Sequence, residues 1–552
     1  MQHEPAAVSA LMGLMMDRPL RIIDLLLYAA EAFPSSGVVS ARPGGITARA
    51  TYPKVAARVA QLAGALQRAG VEVGDRVATF AFNSARHLEL YYAISGMGAV
   101  CHTINPRLSD DQLIFIINHA QDRMIFCDPE LWPRINALLP HLNTRPQVVV
   151  MTDAAGMAPM AGEVLCYEDI IATEPQTIDW PTLPERTASG LCYTSGTTGA
   201  PKGALYTHRS TVLHALYLSS SLPDSLKERR RVLPAVPLFH VNAWGLPYTA
   251  PLTGASLVMP GSSLDGPSLF ALMDQEEVTS AWGVPTVWMG LLDEIDRMGR
   301  LPKGFNDLVV GGSAAAPSMI NRFEDMGVNV CHAWGMTEMS PIGSQGNLTA
   351  HYDHAPLSEQ RAQKAKQGRR MFGVDFKIVS DEGVRLPHDG KAVGNLYVRG
   401  NSVISAYYNN APATTDAIDA EGWFFTGDIA KVDPDGYLTL VDRAKDLIKS
   451  GGEWISSIDL ENAALSHADV AQCAVIAVKD DKWGERPLLV VVPVGDAPDP
   501  AVLIEHLAGS FARWQLPDSV VFMERLPLTA TGKISKLTLR AELDPAMKRA
   551  AR

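Results

Sequence analysis

The chain has 552 residues, too many for a single compact core, so several domains are expected. Its formal charge of −12 argues against a nucleic-acid partner or an anionic membrane surface, while leaving room for a local basic site that takes an anionic cofactor. Six cysteines (Cys101, Cys127, Cys166, Cys192, Cys331 and Cys473) lack CxxC spacing, which suits reduced thiols of a cytoplasmic protein better than a disulfide or zinc framework.

Residues 7–16 are apolar, but Glu4 precedes them and no basic n-region is present, so no signal peptide is expected. No apolar run reaches the ~20 residues needed to span a bilayer, and no integral membrane segment is expected. Residues 55–69 carry the periodicity of an amphipathic helix, 76–81 (Arg-Val-Ala-Thr-Phe-Ala) read as a strand, 86–99 as a second helix, and 147–151 (Gln-Val-Val-Val-Met) as a fully buried strand. This rhythm predicts an α/β architecture with helices layered over largely parallel sheets.

Next comes Tyr193-Thr-Ser-Gly-Thr-Thr-Gly-Ala-Pro-Lys202. Thr194, Ser195, Gly196, Thr197, Thr198 and Gly199 crowd hydroxyls and backbone N–H groups into one turn, with Lys202 just beyond. Glycine lets the backbone approach an anion and hydroxyls complete its hydrogen-bond shell, so the segment can cradle a polyphosphate. Taken alone it also reads as a Gly/Thr-rich surface turn, and its spacing is not that of a P-loop NTPase.

Short strands bounded by Gly or Pro continue at 256–259, 279–282 and 307–310. After about residue 372 the texture turns β-rich, with strands at 376–379, 394–398 and 437–441 split by Asp381-Glu-Gly383, His388-Asp-Gly390 and Asp433-Pro-Asp-Gly436. The expected organisation is an N-terminal domain of residues 1–441 closed by a β-rich subdomain at about 372–441, a hinge at 442–447, and a small α+β C-terminal domain at 448–552. That last domain reads as strands at 474–478 and 488–492 and a helix at 500–512.

Six further segments follow the glycine-rich one: Pro237-Leu-Phe-His-Val-Asn-Ala-Trp244, Gly311-Gly-Ser-Ala-Ala-Ala-Pro317, Ala333-Trp-Gly-Met-Thr-Glu338, Phe425-Thr-Gly-Asp428, Asp442-Arg-Ala-Lys-Asp-Leu-Ile-Lys-Ser-Gly-Gly-Glu-Trp454 and Pro527-Leu-Thr-Ala-Thr-Gly-Lys533. In this order, over about residues 45–540, the chain resembles the adenylate-forming superfamily of acyl-CoA synthetases, aryl-CoA ligases, peptide-synthetase adenylation domains and beetle luciferases. His240-Val-Asn-Ala-Trp, Gly283-Val-Pro-Thr-Val-Trp and Lys449-Ser-Gly-Gly-Glu-Trp-Ile-Ser resemble fatty-acyl-CoA ligases. Asn105-Pro-Arg-Leu, His208-Arg-Ser-Thr and Ala333-Trp-Gly-Met resemble the 3-methylmercaptopropionyl-CoA ligase branch.

The resemblance implies an enzyme that joins a small-molecule carboxylic acid to coenzyme A through an acyl-adenylate, using ATP, Mg²⁺ and CoA, with rotation of the C-terminal domain between half-reactions. It implies that Thr194–Gly199 and Lys202 hold phosphates, that Thr337 touches the α-phosphate, and that Glu338 with Thr194 positions Mg²⁺, a hard ion suited to oxygen ligands. Asp428 would accept the ribose hydroxyls with Arg443 donating from the opposite side. Gly311, Gly312, Ser313 and Ala314, with His332, Ala333, Trp334, Gly335 and Met336, would line the adenine and the carbonyl end of the acyl group.

Lys533 would bridge the substrate carboxylate and the α-phosphate in the first transition state. After rotation about a hinge at 442–445, Lys449, Gly451, Gly452, Glu453 and Trp454 would line the tunnel for the thiol arm, and Lys445 and Lys449 would meet nucleotide phosphates. His240, Val241, Trp244, Trp282 and Gly283, with Gly311, Gly335 and Met336, would face the acyl group; His240 and the tryptophans also read as ordinary structural residues. Many relatives carry Tyr where Trp334 stands, so the stacking face is kept and the phenolic hydroxyl lost.

The acid is expected to be a short or medium apolar, methylthio- or aryl-alkanoic acid, and the fatty-acyl likeness implies a homodimer. An acyl-AMP former that loads a separate carrier protein is the competing enzyme. A non-catalytic nucleotide-binding paralogue is disfavoured because Thr194, Lys202, Glu338, Asp428, Arg443 and Lys533 are all present.

Overall fold

Burial along the strands separates two kinds of sheet. Asp307–Val310 is buried at every position, as a parallel strand covered on both faces must be, whereas Gly394–Gly400 alternates buried and open positions, as an antiparallel strand with one wet face does. In this computed structural model the described residues are 13–157, 164–194, 200–451, 453–480, 482–529 and 533–543. Ser195, Gly196, Thr197, Thr198, Gly199 and Gly452 lie outside them.

The described strands form three sheets. An eight-stranded sheet carries the early α/β units, parallel from Ala188–Thr194 through Val100–Thr103, Arg76–Phe80, Met124–Cys127 and Gln147–Val150, and ends in the antiparallel strands Lys202–Thr207 and Tyr407–Tyr408. A thirteen-stranded sheet begins with parallel strands, among them Ser256–Met259, Arg231–Pro234, Ser280–Gly283, Asp307–Val310 and Asn329–Gly335. It then continues through antiparallel strands Ile342–Gln345, Gly368–Arg370, Tyr437–Arg443, Phe424–Val432, Gly394–Gly400 and Val374–Val379. The β-rich segment is therefore no separate sheet. Asn329–Gly335 outruns its parallel partner and pairs through Ala333 with Gln345, which carries the sheet on in antiparallel sense.

Helices Ile22–Ala32, Tyr52–Arg68 and Ala85–Gly96 contribute to one large apolar cluster that joins residues of both sheets. Local chemistry sets their ends: Pro53 opens the second helix, and Ser84 caps the third by accepting from His87 N–H. The third sheet pairs Val470–Asp480 with Gly484–Pro493 and adds Ile448–Ser450, Glu453–Ile455 and Ser519–Phe522. Its two apolar clusters draw only on residues from Ile448 onward, so this unit has its own core. The helix expected at 500–512 stops at Ala508, where Gly509 follows. No helix among the described residues is long and apolar enough to cross a membrane.

Candidate active site

The two large sheets meet at Thr337–Met339, a short 3₁₀ turn that leaves strand Asn329–Gly335. The hairpin flanking the glycine-rich segment sets Thr194 opposite Lys202, and Tyr407 pairs with Ala204 on the next strand. From this edge the Tyr407 hydroxyl donates to Glu338 Oε1 at 2.7 Å, and the Tyr206 hydroxyl donates to the Thr337 carbonyl at 2.6 Å. Lys202 Nζ lies 5.1 Å over the Tyr407 ring. Burial pushes the Glu338 carboxyl above the ordinary carboxylate range, with the Tyr407 hydroxyl bond and the charges of Arg443 and Lys202 opposing.

Opposite stands Asp428, 2% exposed, on strand Phe424–Val432. Arg443 is its cross-strand partner and brings Nε to 2.8 Å of Oδ1. The other oxygen, Oδ2, accepts from the indole Nε1–H of Trp334 at 2.9 Å. Trp334 is 5% exposed, with its ring edge-on to Phe376. Each carboxylate oxygen keeps a lone pair for a further hydroxyl.

Lys533 enters this cleft from the C-terminal unit. A Cβ built on Gly312 would lie 3.7 Å from Lys533 Cε, 3.5 Å from Trp244 Cζ2 and 3.2 Å from Val284 Cγ1; its φ of +80° also suits glycine. Gly312 is thus where the lysine stem and the Trp244 indole come together. Burial lowers the Lys533 pKa to about 8 and Arg443 adds to the effect, while Asp428 and Glu338 pull it back up. Half-buried His240 faces the same charge: burial, then Lys533 and Arg107, lower it to about 3, so its imidazole is neutral at pH 7.

Residues 241–244 take an unusual path. Val241, Asn242, Ala243 and Trp244 have φ of 47°, 52°, 44° and 58°, and Gly245 continues at 83°. A left-handed turn of L-residues costs roughly 1–2 kcal/mol for each. The surroundings hold it: Tyr91 donates its hydroxyl to Leu238 O at 2.5 Å and to Asn242 Oδ1 at 3.1 Å, and the turn closes with Gly245 N–H on Asn242 O. Trp244 is thereby buried against Gly311, whose Cβ would sit 3.4 Å from Cη2.

Trp282 is fully buried and gives its indole N–H to Ser280 Oγ at 3.1 Å, so it is a core residue of the strand rather than an open pocket wall. His332 is equally enclosed, bonded through Nδ1 to Ala365 O at 3.0 Å and lowered by burial to about 4. Both point inward because their strands are covered on both faces.

The AMP-binding enzyme family matches residues 28–408, and the AMP-binding enzyme C-terminal domain matches residues 459–533. The chain belongs to the AMP-binding enzyme family. It is 46% identical over 97% of its length to 3-methylmercaptopropionyl-CoA ligase of Ruegeria lacuscaerulensis, all of which is covered. It is also 46% identical to the long-chain-fatty-acid–CoA ligase of Thermus thermophilus, over 98% of each chain. In three dimensions it is similar to the anthranilate CoA ligase AuaEII crystallised with anthranoyl-AMP, with a TM-score of 0.85, 24% identity, and 97% and 99% of the two chains covered. This AMP-binding enzyme is an acid–CoA ligase that uses ATP, Mg²⁺ and CoA.

No three His, Cys, Asp or Glu side chains among the described residues gather into a metal cage. That fits Mg²⁺, which is usually held by one or two carboxylates plus substrate phosphates. Glu338 is a buried carboxylate whose Oε1 accepts from Tyr407, and Thr194 lies at the mouth of the nearby hairpin; these are the residues that would hold the ion.

The surface residues expected for the second half-reaction sit elsewhere on the C-terminal unit. Lys449 and Trp454 pair across Ile448–Ser450 and Glu453–Ile455, Glu453 is exposed, and Gly451 at φ +61° leaves room for Trp483, whose ring atom would come within 2.8 Å of a Cβ. Between the units, Asp442 Oδ2 accepts from Ser457 N–H at 2.7 Å and Ser457 Oγ at 2.6 Å, and Arg540 pairs with Asp446 at 2.8 Å. Lys445 beside them is exposed, and partial desolvation lowers its pKa.

Sequence reasoning missed Tyr407, Tyr206 and Asn242. Tyr407 stands on a two-residue edge strand with no periodic pattern to mark it. Only the side-chain amide of Asn242 inside Pro237–Trp244 hinted at a backbone that leaves the ordinary φ range.

Proposed function

We propose that this acid–CoA ligase acts on a short or medium apolar, methylthio- or aryl-alkanoic acid, with Lys533 as the cation of adenylation and the C-terminal unit rotating before thioester formation. The observation that carries the reading is Lys533 itself, brought from the last sheet unit to Gly312 between Trp244, Asp428 and Glu338.

Carboxylate and ATP are both anionic, so attack at the α-phosphorus needs fixed positive charge where negative charge develops. Lys533 supplies it at the acyl side, Arg443 and Asp428 fix the ribose, and Lys202 with the glycine-rich segment takes the departing pyrophosphate. Bound Mg²⁺ would neutralise phosphate charge beside Glu338. The new carboxylate–phosphorus bond forms as the α–β phosphoanhydride bond breaks. In the second step the CoA sulfur bonds to the acyl carbonyl, the bond to phosphate breaks, and AMP and the thiol proton leave.

Lys533 occupies the face from which the thiol must come, so the unit carrying it must withdraw. A hinge at 442–445 serves this, because β-strand Tyr437–Arg443 ends there and the contacts of Asp442 and Asp446 run to Ser457 and Arg540 beyond it. Lys445→Pro should slow thioester formation more than acid-dependent ATP–pyrophosphate exchange; equal rates in both steps would remove the hinge from this position.

The acid class rests on the wall at Trp244, and one methylene there is worth only ~1–3 kcal/mol of discrimination. The test is ATP- and CoA-dependent AMP release across acids from propionate to palmitate, with methylthio and aryl analogues. Best turnover on long-chain acids would overturn the assignment.

A reducing, cytoplasmic setting is supported by six unpaired, buried cysteines, and cell fractionation tests it. A homodimer follows from the likeness to fatty-acyl-CoA ligases; a monomer mass by light scattering would discard it.

A further inference from the structure

Lys536 is a largely enclosed cation three residues beyond Lys533. It opens helix Lys536–Leu543, and its side chain is 15% exposed. One arm of its contacts stays inside the C-terminal unit: Nζ pairs with Glu461 Oε1 at 2.7 Å, and that oxygen also accepts from Val475 N–H at 2.7 Å. Exchanging an enclosed ion pair for apolar side chains of similar volume is often neutral for stability, so fold strength alone does not account for a lysine here.

The other arm leaves the unit. Lys536 Nζ donates to Ser457 Oγ at 2.6 Å, and the single hydroxyl hydrogen of Ser457 goes on to Asp442 Oδ2 at 2.6 Å. Asp442 is 2% exposed at the end of strand Tyr437–Arg443 of the thirteen-stranded sheet, and its Oδ1 accepts from Arg443 N–H at 2.8 Å. Arg443 is the residue that pairs with Asp428. Two hydrogen bonds thus join the ammonium to the strand end that carries the pair proposed to take the ribose.

Between Lys536 and Lys533 the backbone is fixed. Ser535 N–H donates to Pro527 O at 2.8 Å, and Leu528 and Ile534 pair as an antiparallel bridge. The Lys533 carbonyl accepts from Thr529 N–H at 2.6 Å, and Lys533 N–H donates to Thr529 Oγ1 at 3.2 Å. A displacement of Lys536 is therefore passed on to Lys533 rather than absorbed on the way. We propose that Lys536 is a positioning residue for adenylation: through Ser457 and Asp442 it fixes Lys533 relative to Asp428 and Arg443, and the link parts when the C-terminal unit withdraws for thioester formation. This deepens the acid–CoA ligase reading and rests on it.

The experiment measures two half-reactions, acid-dependent ATP–pyrophosphate exchange and thioester formation from supplied acyl-AMP, in wild type, Lys536→Gln, Lys536→Arg and Ser457→Ala. Lys536→Gln and Ser457→Ala should each lower kcat of exchange about tenfold, the scale of one charge-assisted contact, with KM for ATP and for the acid unchanged. Thioester formation should keep its wild-type rate, and Lys536→Arg should recover most of the exchange. Ser457→Ala keeps the Lys536–Glu461 pair and carries the comparison if Lys536→Gln does not fold. Because Lys536 acts through Lys533, Lys533→Ala combined with Lys536→Gln should be no slower in exchange than Lys533→Ala alone. Losses that multiply would overturn the proposal, as would unchanged exchange in Lys536→Gln and Ser457→Ala. An equal fall in both half-reactions would overturn it too, since Lys536 would then only pack the C-terminal unit. Exchange that survives Lys533→Ala would overturn the underlying reading instead, before Lys536 is compared.

Discussion

Around Asp428 the donors and acceptors sit on regular strands, paired at ordinary distances, whereas around Trp244 the backbone passes through four consecutive non-glycine residues of positive φ. The wall proposed for the nucleotide is built from cross-strand register, which neighbouring strands fix over their whole length. The wall proposed for the acyl group is built from a strained turn that persists because Tyr91, Leu238 and Asn242 over-determine it. A wall of the first kind is hard to change without loss, and one of the second kind can be retuned by a few local substitutions.

The comparison breaks most plainly at Lys533, which both walls share. Lys533→Ala should lower acid-dependent ATP–pyrophosphate exchange about 10²–10³-fold, the usual cost of removing a transition-state charge partner. It should spare thioester formation from supplied acyl-AMP, and equal loss of both steps would contradict the role. On the nucleotide wall alone, Asp428→Ala leaves the Arg443 guanidinium and the Trp334 N–H without their acceptor. KM for ATP should rise roughly ten- to a hundredfold, since an unsatisfied buried donor costs ~1–3 kcal/mol, with KM for the acid little changed. A comparable rise for both substrates would show that the two walls are not independent.

How far these walls were legible in the sequence differs for the same reason. Motif order located Asp428, Arg443, Trp334, Glu338 and Lys533, but not how they bond. The indole–carboxylate bond joins residues 94 positions apart, and the Asp428–Arg443 register is set by the pairing of two whole strands. The α/β rhythm of the early units was readable from buried apolar runs; the continuation of the large sheet through Ala333 and Gln345 was not, because no local pattern announces a change from parallel to antiparallel pairing. On the acyl wall, Val-Asn-Ala-Trp mostly favours negative φ, so the left-handed turn is imposed by packing. Trp282 shows the converse: its Gly-Val-Pro surroundings suggested a pocket, and full burial in a strand makes it core.

A smaller effect sharpens the comparison through pH. The free-enzyme Lys533 pKa of about 8 means that the cation is progressively lost above that pH. The kcat/KM for ATP should therefore fall on the alkaline side with a midpoint near pH 8, and Lys533→Arg should move that limb upward, because guanidinium stays charged. A flat profile to pH 9.5 would show that Lys533 is not the titrating group.

The smallest expected change lies in the strained turn. Ala243→Gly removes a Cβ at φ 44°, which should raise stability by about 1 kcal/mol in denaturant unfolding while loosening the choice among acids. Loss of stability would mean that the turn is not strained at this residue.

The bond from Trp334 to Asp428 has one more consequence. An indole whose N–H is held by a buried carboxylate emits according to that bond, and a ribose hydroxyl arriving on Asp428 would redistribute the same negative charge. The molecule therefore carries an indole bonded to the carboxylate proposed to take the ribose, one of the ten tryptophans of the chain, and added ATP should shift its emission in wild type and not in Trp334→Phe.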